Sequence, residues 1–293
     1  MRLATFDERG IPRIGVVLDG EVADVTSVAP TMLAFVEGGA AAQERVRRAA
    51  ETAPRRRLDQ VKLLAPFPRP IKNILCLGLN YKDHVGESAS AGFAAAALPK
   101  NPIWFTKAVT SVCGPYDDIV IDPAISAQYD WEVELAVVIG RSGRHISRER
   151  AFDHVHSYTV FNDFSVRDVQ LRGSSAQWFL GKSYDNGSPM GPWLVTADEV
   201  AVPPKLQVTC RVNGVVKQDS NTELMIFDIP TAIADISRLM TLEPGDIIAT
   251  GTPSGVGVAA TPPEFLKPGD IMETEVEGIG VLRNRIVVAP VPR

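Results

Sequence analysis

Hydrophobic and polar positions along the chain fall into short apolar runs separated by turn residues, and few stretches repeat with a helical period. "MRLATFDERGIPRIGVVLDGEVADVTSV" reads as strands broken by turns at Glu8–Pro12 and Asp19–Gly20. From Thr31, "TMLAFVEGGAAAQERVRRAAETA" holds one or two short helices, and the charged, then proline-rich stretch that ends at Pro70 reads as a linker. This gives a small N-terminal α/β domain over residues 1–68 and a larger domain over 69–293. In the larger one, "NILCLGLN", "DDIVIDP", "VELAVVIG", "LQVTCRVNG", "DIIATG" and "IMETEVEGIGVLRNRIVV" predict many strands. Two helices are predicted: "SRERAFDHVHSY", capped by Ser147, and "DIPTAIADISRLMT". The fold class is therefore α+β and β-rich, a rolled sheet or distorted barrel.

One strand breaks its own pattern. In "YDWEVELAVVIG", Tyr129–Gly140, strand alternation puts Glu132 and Glu134 on one side with Ala136 and Val138, and Trp131, Val133, Leu135 and Val137 on the other. Neither side looks wet, and two buried carboxylates at one spot need a positive partner. Glu-x-Glu on a strand is also an ordinary solvated face, so the pair alone decides nothing.

Composition narrows the class. The chain has 293 residues, 45% hydrophobic, with a net charge of −5. That suits a soluble protein with a sizeable core and argues against nucleic acid or an anionic membrane as partner. Three scattered cysteines, Cys76, Cys113 and Cys210, read as free thiols, which makes the cytoplasm the expected location. "ATGTPSGVG" lacks the ending of a phosphate loop, and Ser165, Ser174 and Ser183 have no His–Asp neighbours for a triad. His154 and His156 read as structural residues on a helix.

Other polar residues gather near strand ends, where loops carry function. Asp163 with Glu132 and Glu134 would make an all-oxygen site for Mg²⁺, Mn²⁺ or Ca²⁺. Arg167 and Gln170 in "NDFSVRDVQ" suit an anionic or carbonyl-rich substrate, and Lys182 in "GKSYDNG" suits an enolate or a proton transfer. His84 and Glu87 sit at helical i,i+3 spacing, where a carboxylate orients an imidazole base. The following "SASAGFAAAALPKNP" reads as a weak helix or movable lid, and residues 93–102 with Trp178 are expected to shape an acyl pocket. Thr252 and nearby backbone N–H groups can hold a carboxylate. Each of these has a commoner structural use when taken singly.

Taken in order, "NYKDHVGE", "WEVELAVVIG", "NDFSVRDVQ", "GKSYDNGSPMGPW", "VNGVVKQDSNTELMIFDI" and "LEPGDIIATGTPSGVG" resemble the fumarylacetoacetate hydrolase superfamily, from about Ile71 to Val288. The resemblance implies a mixed β-roll or β-sandwich and a homodimer. It implies Glu132, Glu134 and Asp163 as ligands of a divalent cation, Mg²⁺ or Mn²⁺ with Ca²⁺ as an option. It also implies His84 and Glu87 as the water-activating pair, with Arg167, Gln170, Lys182 and Thr252 around the substrate. The expected activity is hydrolysis of a C–C bond in a 1,3-diketo acid of acylpyruvate or fumarylpyruvate type. The same site can decarboxylate a 2-oxo acid such as oxaloacetate, or isomerise or hydrate a 2-hydroxy-dienoate. A non-catalytic dicarboxylate binder and a scaffold around a structural ion are rivals that the intact His84–Glu87 pair argues against.

Overall fold

Alternation along Val133–Ile139 sets the plan of the molecule, because both faces of this strand are buried. In the computed structural model, which describes residues 1–90, 97–172 and 178–289, it lies inside a large sheet. From edge to edge that sheet runs Arg55–Arg57, Glu21–Asp24, Ile11–Leu18, Arg2–Glu8, Ser188–Thr196, Val155–Asn162, Val133–Ile139, Ile247–Ala249, Ile74–Gly78 and Ile103–Lys107. A second sheet runs Val215–Asn221, Gln207–Val212, Ile271–Val276, Gly280–Val288 and Ile119–Ile121. Val133, Leu135 and Val137 pack with Val208, Cys210, Met272 and Leu282 of the second sheet in one core. This is sheet-on-sheet packing with the alternation it requires. The fold is mixed α+β and rich in strands, as expected.

The opposite face carries a second core. Ala136, Val138, Phe161 and Leu194 meet Leu3, Val16, Phe35 and Val46 there, the last two from helices Met32–Glu37 and Gly39–Thr52. The change of texture near residue 68 is thus a seam in sequence rather than a gap in space. Arg2–Glu8 pairs antiparallel with Ser188–Thr196, at Arg2↔Val195 and Leu3↔Leu194.

The segment expected to be a helix from Ser147 departs from the pattern. Arg148–His154 is a 3₁₀ helix whose Ser147 makes no side-chain cap bond, and Val155–Asn162 continues as a strand. Val155, His156, Tyr158 and Val160 are buried in it. Sheet pairing with Val133–Ile139 wins over local helical preference. His156 accordingly sits in a strand, edge-on to Phe35, and burial lowers its pKa to about 4. The second predicted helix is present as Ile229–Ser237, with Asp228 capping the Thr231 N–H.

Candidate metal centre and active site

Register brings the three carboxylates together. Val133 faces Asn162 across the antiparallel pair, and the Asp163 N–H donates to the Glu132 carbonyl at 2.9 Å. Asp163 therefore emerges beside Glu132, and Glu134 lies two residues further along the same side. One oxygen from each of Glu132, Glu134 and Asp163 lies within 4.8 Å of the others. All three residues are buried, Glu134 at 1% exposure. The solvated-face reading of Glu-x-Glu is thereby excluded.

Cations line this cluster from two directions. Lys182, at the end of helix Trp178–Lys182, donates to Glu132 Oε2 at 2.6 Å and Asp163 Oδ2 at 2.9 Å. Its helix lies against Arg167–Gln170 so closely that a Cβ on Gly181 would stand 2.5 Å from the Gln170 Cα. Lys107, which nothing in the sequence singled out, donates to Asp163 Oδ1 at 2.7 Å and to the Phe164 carbonyl at 2.9 Å. Arg167 donates through Nε to Asp130 at 2.7 Å and through Nη1 to Gln170 at 2.9 Å.

Glu134 is turned by a bend in the chain. Beyond strand Ile247–Ala249 the Gly251 N–H donates to Glu134 Oε2 at 2.8 Å. Gly251 has φ +93°, and a Cβ there would stand 2.7 Å from the Asn80 Cβ, so only glycine fits. Asn80 in turn donates to the Thr250 carbonyl and exchanges hydrogen bonds with the Phe227 backbone, fixing the entry to helix Lys82–Ser90.

That helix carries the base pair. His84 Nδ1 lies 3.2 Å from Glu87 Oε2, and Glu87 Oε1 accepts from the Gly255 N–H at 2.9 Å. Asp83 accepts from the Ser254 hydroxyl at 2.8 Å. His84 is thus held against the body by its own helix turn. Of the stretch expected to form a lid, residues 91–96 lie outside the described residues, as does Ser174. Ser165 and Ser183 spend their hydroxyls elsewhere: Ser165 donates to the Asp163 carbonyl and Ser183 accepts from the Ala108 N–H.

A cleft opens over the cluster. His84, Glu132, Arg167, Gln170, Lys182 and Thr252 form its polar side, and Leu77, Phe105, Leu171 and Trp178 its apolar side. Thr252 is there, but its hydroxyl donates to the Val133 carbonyl at 2.9 Å and accepts from Gln218 at 2.8 Å. Without a ligand its one proton is thus directed to the Val133 carbonyl.

Burial and the charges of Asp163 and Glu132 push the Glu134 carboxyl well above the usual carboxylate range. Lys182 and Arg167 outweigh burial at Glu132 and bring its carboxyl down to about 2. The proton that Glu134 keeps stabilises the cation-free fold below the ordinary carboxylate pKa. That stabilisation fades as pH rises through the raised value. A dication held by these three hard oxygen donors would take the place of this proton. We expect Mn²⁺ affinity to climb with pH and each bound ion to expel a proton. Calorimetry in buffers of different ionisation heat measures that release, and binding without it would contradict the assignment.

The match to known proteins follows this geometry. The model of the fumarylacetoacetate (FAA) hydrolase C-terminal family matches residues 73–287. The chain belongs to this family. Among its members, the mitochondrial oxaloacetate tautomerase Fahd2a of Rattus norvegicus is 44% identical over 296 residues, 98% of this chain and 92% of the relative. The fumarylacetoacetate hydrolase structure from Exiguobacterium antarcticum is 39% identical with TM-score 0.86, covering 99% of this chain and all of that one. The maleylpyruvate hydrolase of Sphingobium sp. SYK-6, in complex with manganese(II) and pyruvate, is 31% identical with TM-score 0.83 at the same coverage. Family relatives are thus enzymes acting on small keto acids, and the buried acidic cluster supports a divalent cation here. No helix among the described residues is long and apolar enough to cross a membrane. All three cysteines are free and buried.

Proposed function

We propose that this protein moves a proton between carbon and oxygen in an oxaloacetate-class 2-oxo dicarboxylate, interconverting enol and keto forms. The observation that carries this reading is the placement of an oriented imidazole, His84, in the same cleft as Glu132, Arg167 and Lys182. The 44% identity to an oxaloacetate tautomerase across 98% of the chain supports the choice of substrate.

Mg²⁺ or Mn²⁺ held by Glu132, Glu134 and Asp163, with Ca²⁺ also compatible, supplies Lewis acidity that eases the build-up of enolate charge. Donation of Nδ1–H to Glu87 fixes the tautomer in which Nε2 carries the lone pair. His84 takes the enol O–H proton and returns it at the adjacent carbon, and no water is consumed. Arg167 and Lys182 place positive charge beside the substrate oxygens, with Gln170 aligning Arg167.

The test follows enol-oxaloacetate by its ultraviolet absorbance with Mn²⁺ present. Acceleration over buffer without release of CO₂ or pyruvate is expected, and a rate at the buffer baseline would refute the reading. Hydrolysis of a C–C bond in an acylpyruvate- or fumarylpyruvate-type acid is the second reading, favoured by the likeness to the Exiguobacterium and Sphingobium structures. There His84 would take its proton from a water that attacks the distal carbonyl, and pyruvate plus a carboxylic acid would appear. Release of CO₂ would mark decarboxylation, and ligand binding without product a dicarboxylate-binding protein. A homodimer, as the family resemblance implies, belongs to this proposal.

A further inference from the structure

Asp130 is buried to zero exposure at the centre of a small hydrogen-bond hub. Its Oδ1 accepts from the Trp131 N–H at 2.8 Å and the Gly257 N–H at 2.7 Å. Its Oδ2 accepts from the Val258 N–H at 3.0 Å and from Arg167 Nε at 2.7 Å. Four donors leave this carboxylate no spare capacity.

The hub joins parts that are distant in sequence. Strand Tyr129–Asp130 pairs with Ser165–Val166, immediately before Arg167. Gly257 and Val258 belong to the same turn as Gly255, whose N–H anchors Glu87 and whose carbonyl accepts from Trp131 Nε1 at 2.9 Å. One turn is therefore held by two carboxylates, Glu87 on one side and Asp130 on the other. A Cβ on Gly257 would stand 2.8 Å from Asp130 Oδ1, so the approach is as close as a backbone allows.

Arg167 shows what this arrangement achieves. Nε is spent on Asp130 and Nη1 on Gln170. Nη2 is ion-paired with Glu132 Oε1 at 2.8 Å, off the best hydrogen-bond angle, and it has no other acceptor among the described residues. It is buried, and the side chain lines the cleft. A guanidinium is a rigid planar fork, so fixing Nε and Nη1 fixes the direction of the Nη2 bonds.

We infer that Asp130 is a positioning residue: by gripping Arg167 at Nε it aims Nη2 at a carboxylate or enolate oxygen of the substrate. Asp130 itself lies behind Arg167, on the Nε side, and acts through it. This inference rests on the enolate chemistry proposed above only for the identity of the oxygen. It extends that reading by assigning the aim of the guanidinium to a residue outside the recognised motif positions.

The test is a double-mutant cycle on the full-length protein with Mn²⁺, using Asp130→Asn, Arg167→Met and the double variant. Asparagine keeps the size of aspartate but turns one acceptor into a donor that faces N–H groups. Alone, Asp130→Asn should lower kcat/KM by about 100-fold, as expected for a misplacement near 1 Å. In the Arg167→Met background the same change should cost far less, because the group it aims has gone and only its hold on the Gly257–Val258 turn is lost. Equal losses in both backgrounds would overturn the inference and make Asp130 a general structural residue. Pyruvate binding to the Mn²⁺-loaded variants, read by calorimetry, gives the same cycle without turnover, with coupling expected and additivity refuting. Thermal melting checks that each variant is folded. Should Asp130→Asn fail to fold, Asp130→Glu, which keeps the charge but shifts the oxygens, takes its place in the cycle with the same outcomes. A wild-type protein inactive on every keto acid but showing coupling in pyruvate binding would fail the proposed function and leave this inference standing.

Discussion

Replacing His84 with alanine should lower kcat by about 100- to 10,000-fold, the usual contribution of a positioned general base. Mn²⁺ uptake should stay intact. The imidazole offers no oxygen donor, so its loss leaves all three carboxylates of the cluster in place. Helix Lys82–Ser90 should also hold, because Glu87 keeps the Gly255 N–H and Asp83 keeps Ser254. The defect should therefore fall on kcat more than on KM, as for an interaction made only in the transition state. Turnover assays beside Mn²⁺ calorimetry measure both halves. Undiminished turnover would remove His84 from the chemistry, and lost metal uptake would show that the cleft had collapsed.

Asp163→Ala should have the largest combined effect. It removes one of the three proposed cation ligands and also the carboxylate between two buried lysines. Lys182 keeps Glu132, but Lys107, at zero exposure, is left with the Phe164 carbonyl and the face of the Phe161 ring among the described residues. Stranding a buried charge in this way costs about 3–5 kcal/mol. Denaturant unfolding should show that loss, and calorimetry should show no Mn²⁺ binding. Asp163→Asn separates the two effects, since the amide oxygen still accepts from a lysine while the charge is gone. It should recover part of the stability and none of the metal affinity. Wild-type Mn²⁺ affinity in either variant would contradict the assigned ligand set.

The sequence made the acidic cluster legible because it is written in local rules. Strand alternation put Glu132 and Glu134 on one side, and the motif context placed Asp163 at a strand end. His84 and Glu87 were legible from i,i+3 spacing. Lys107 was not, because it closes the apolar strand Ile103–Lys107 and reads there as the exit to solvent. Its meaning comes from Asp163, 56 residues away. Asp130 was hidden for the same reason: its partners Arg167 and Gly257 lie 37 and 127 residues on. Long-range register also hid the union of Arg2–Glu8 with Ser188–Thr196. At Ser147 the local signals pointed to a longer helix, and the strand pairing of Val155–Asn162 overrode them.

The hub and the cluster together hold Asp130, Glu132, Glu134 and Asp163 against Lys107, Arg167 and Lys182, one more acid than base. With every acid ionised, a dication turns that shortfall into a surplus. In a low-dielectric interior such a surplus calls for a counter-anion. Keto-acid dianion and inorganic ion are then each other's missing complement, and each should tighten the hold on the other by the same factor. Saturation by one would be sensed as a change in apparent affinity for its companion, so loading becomes a joint event rather than two separate ones.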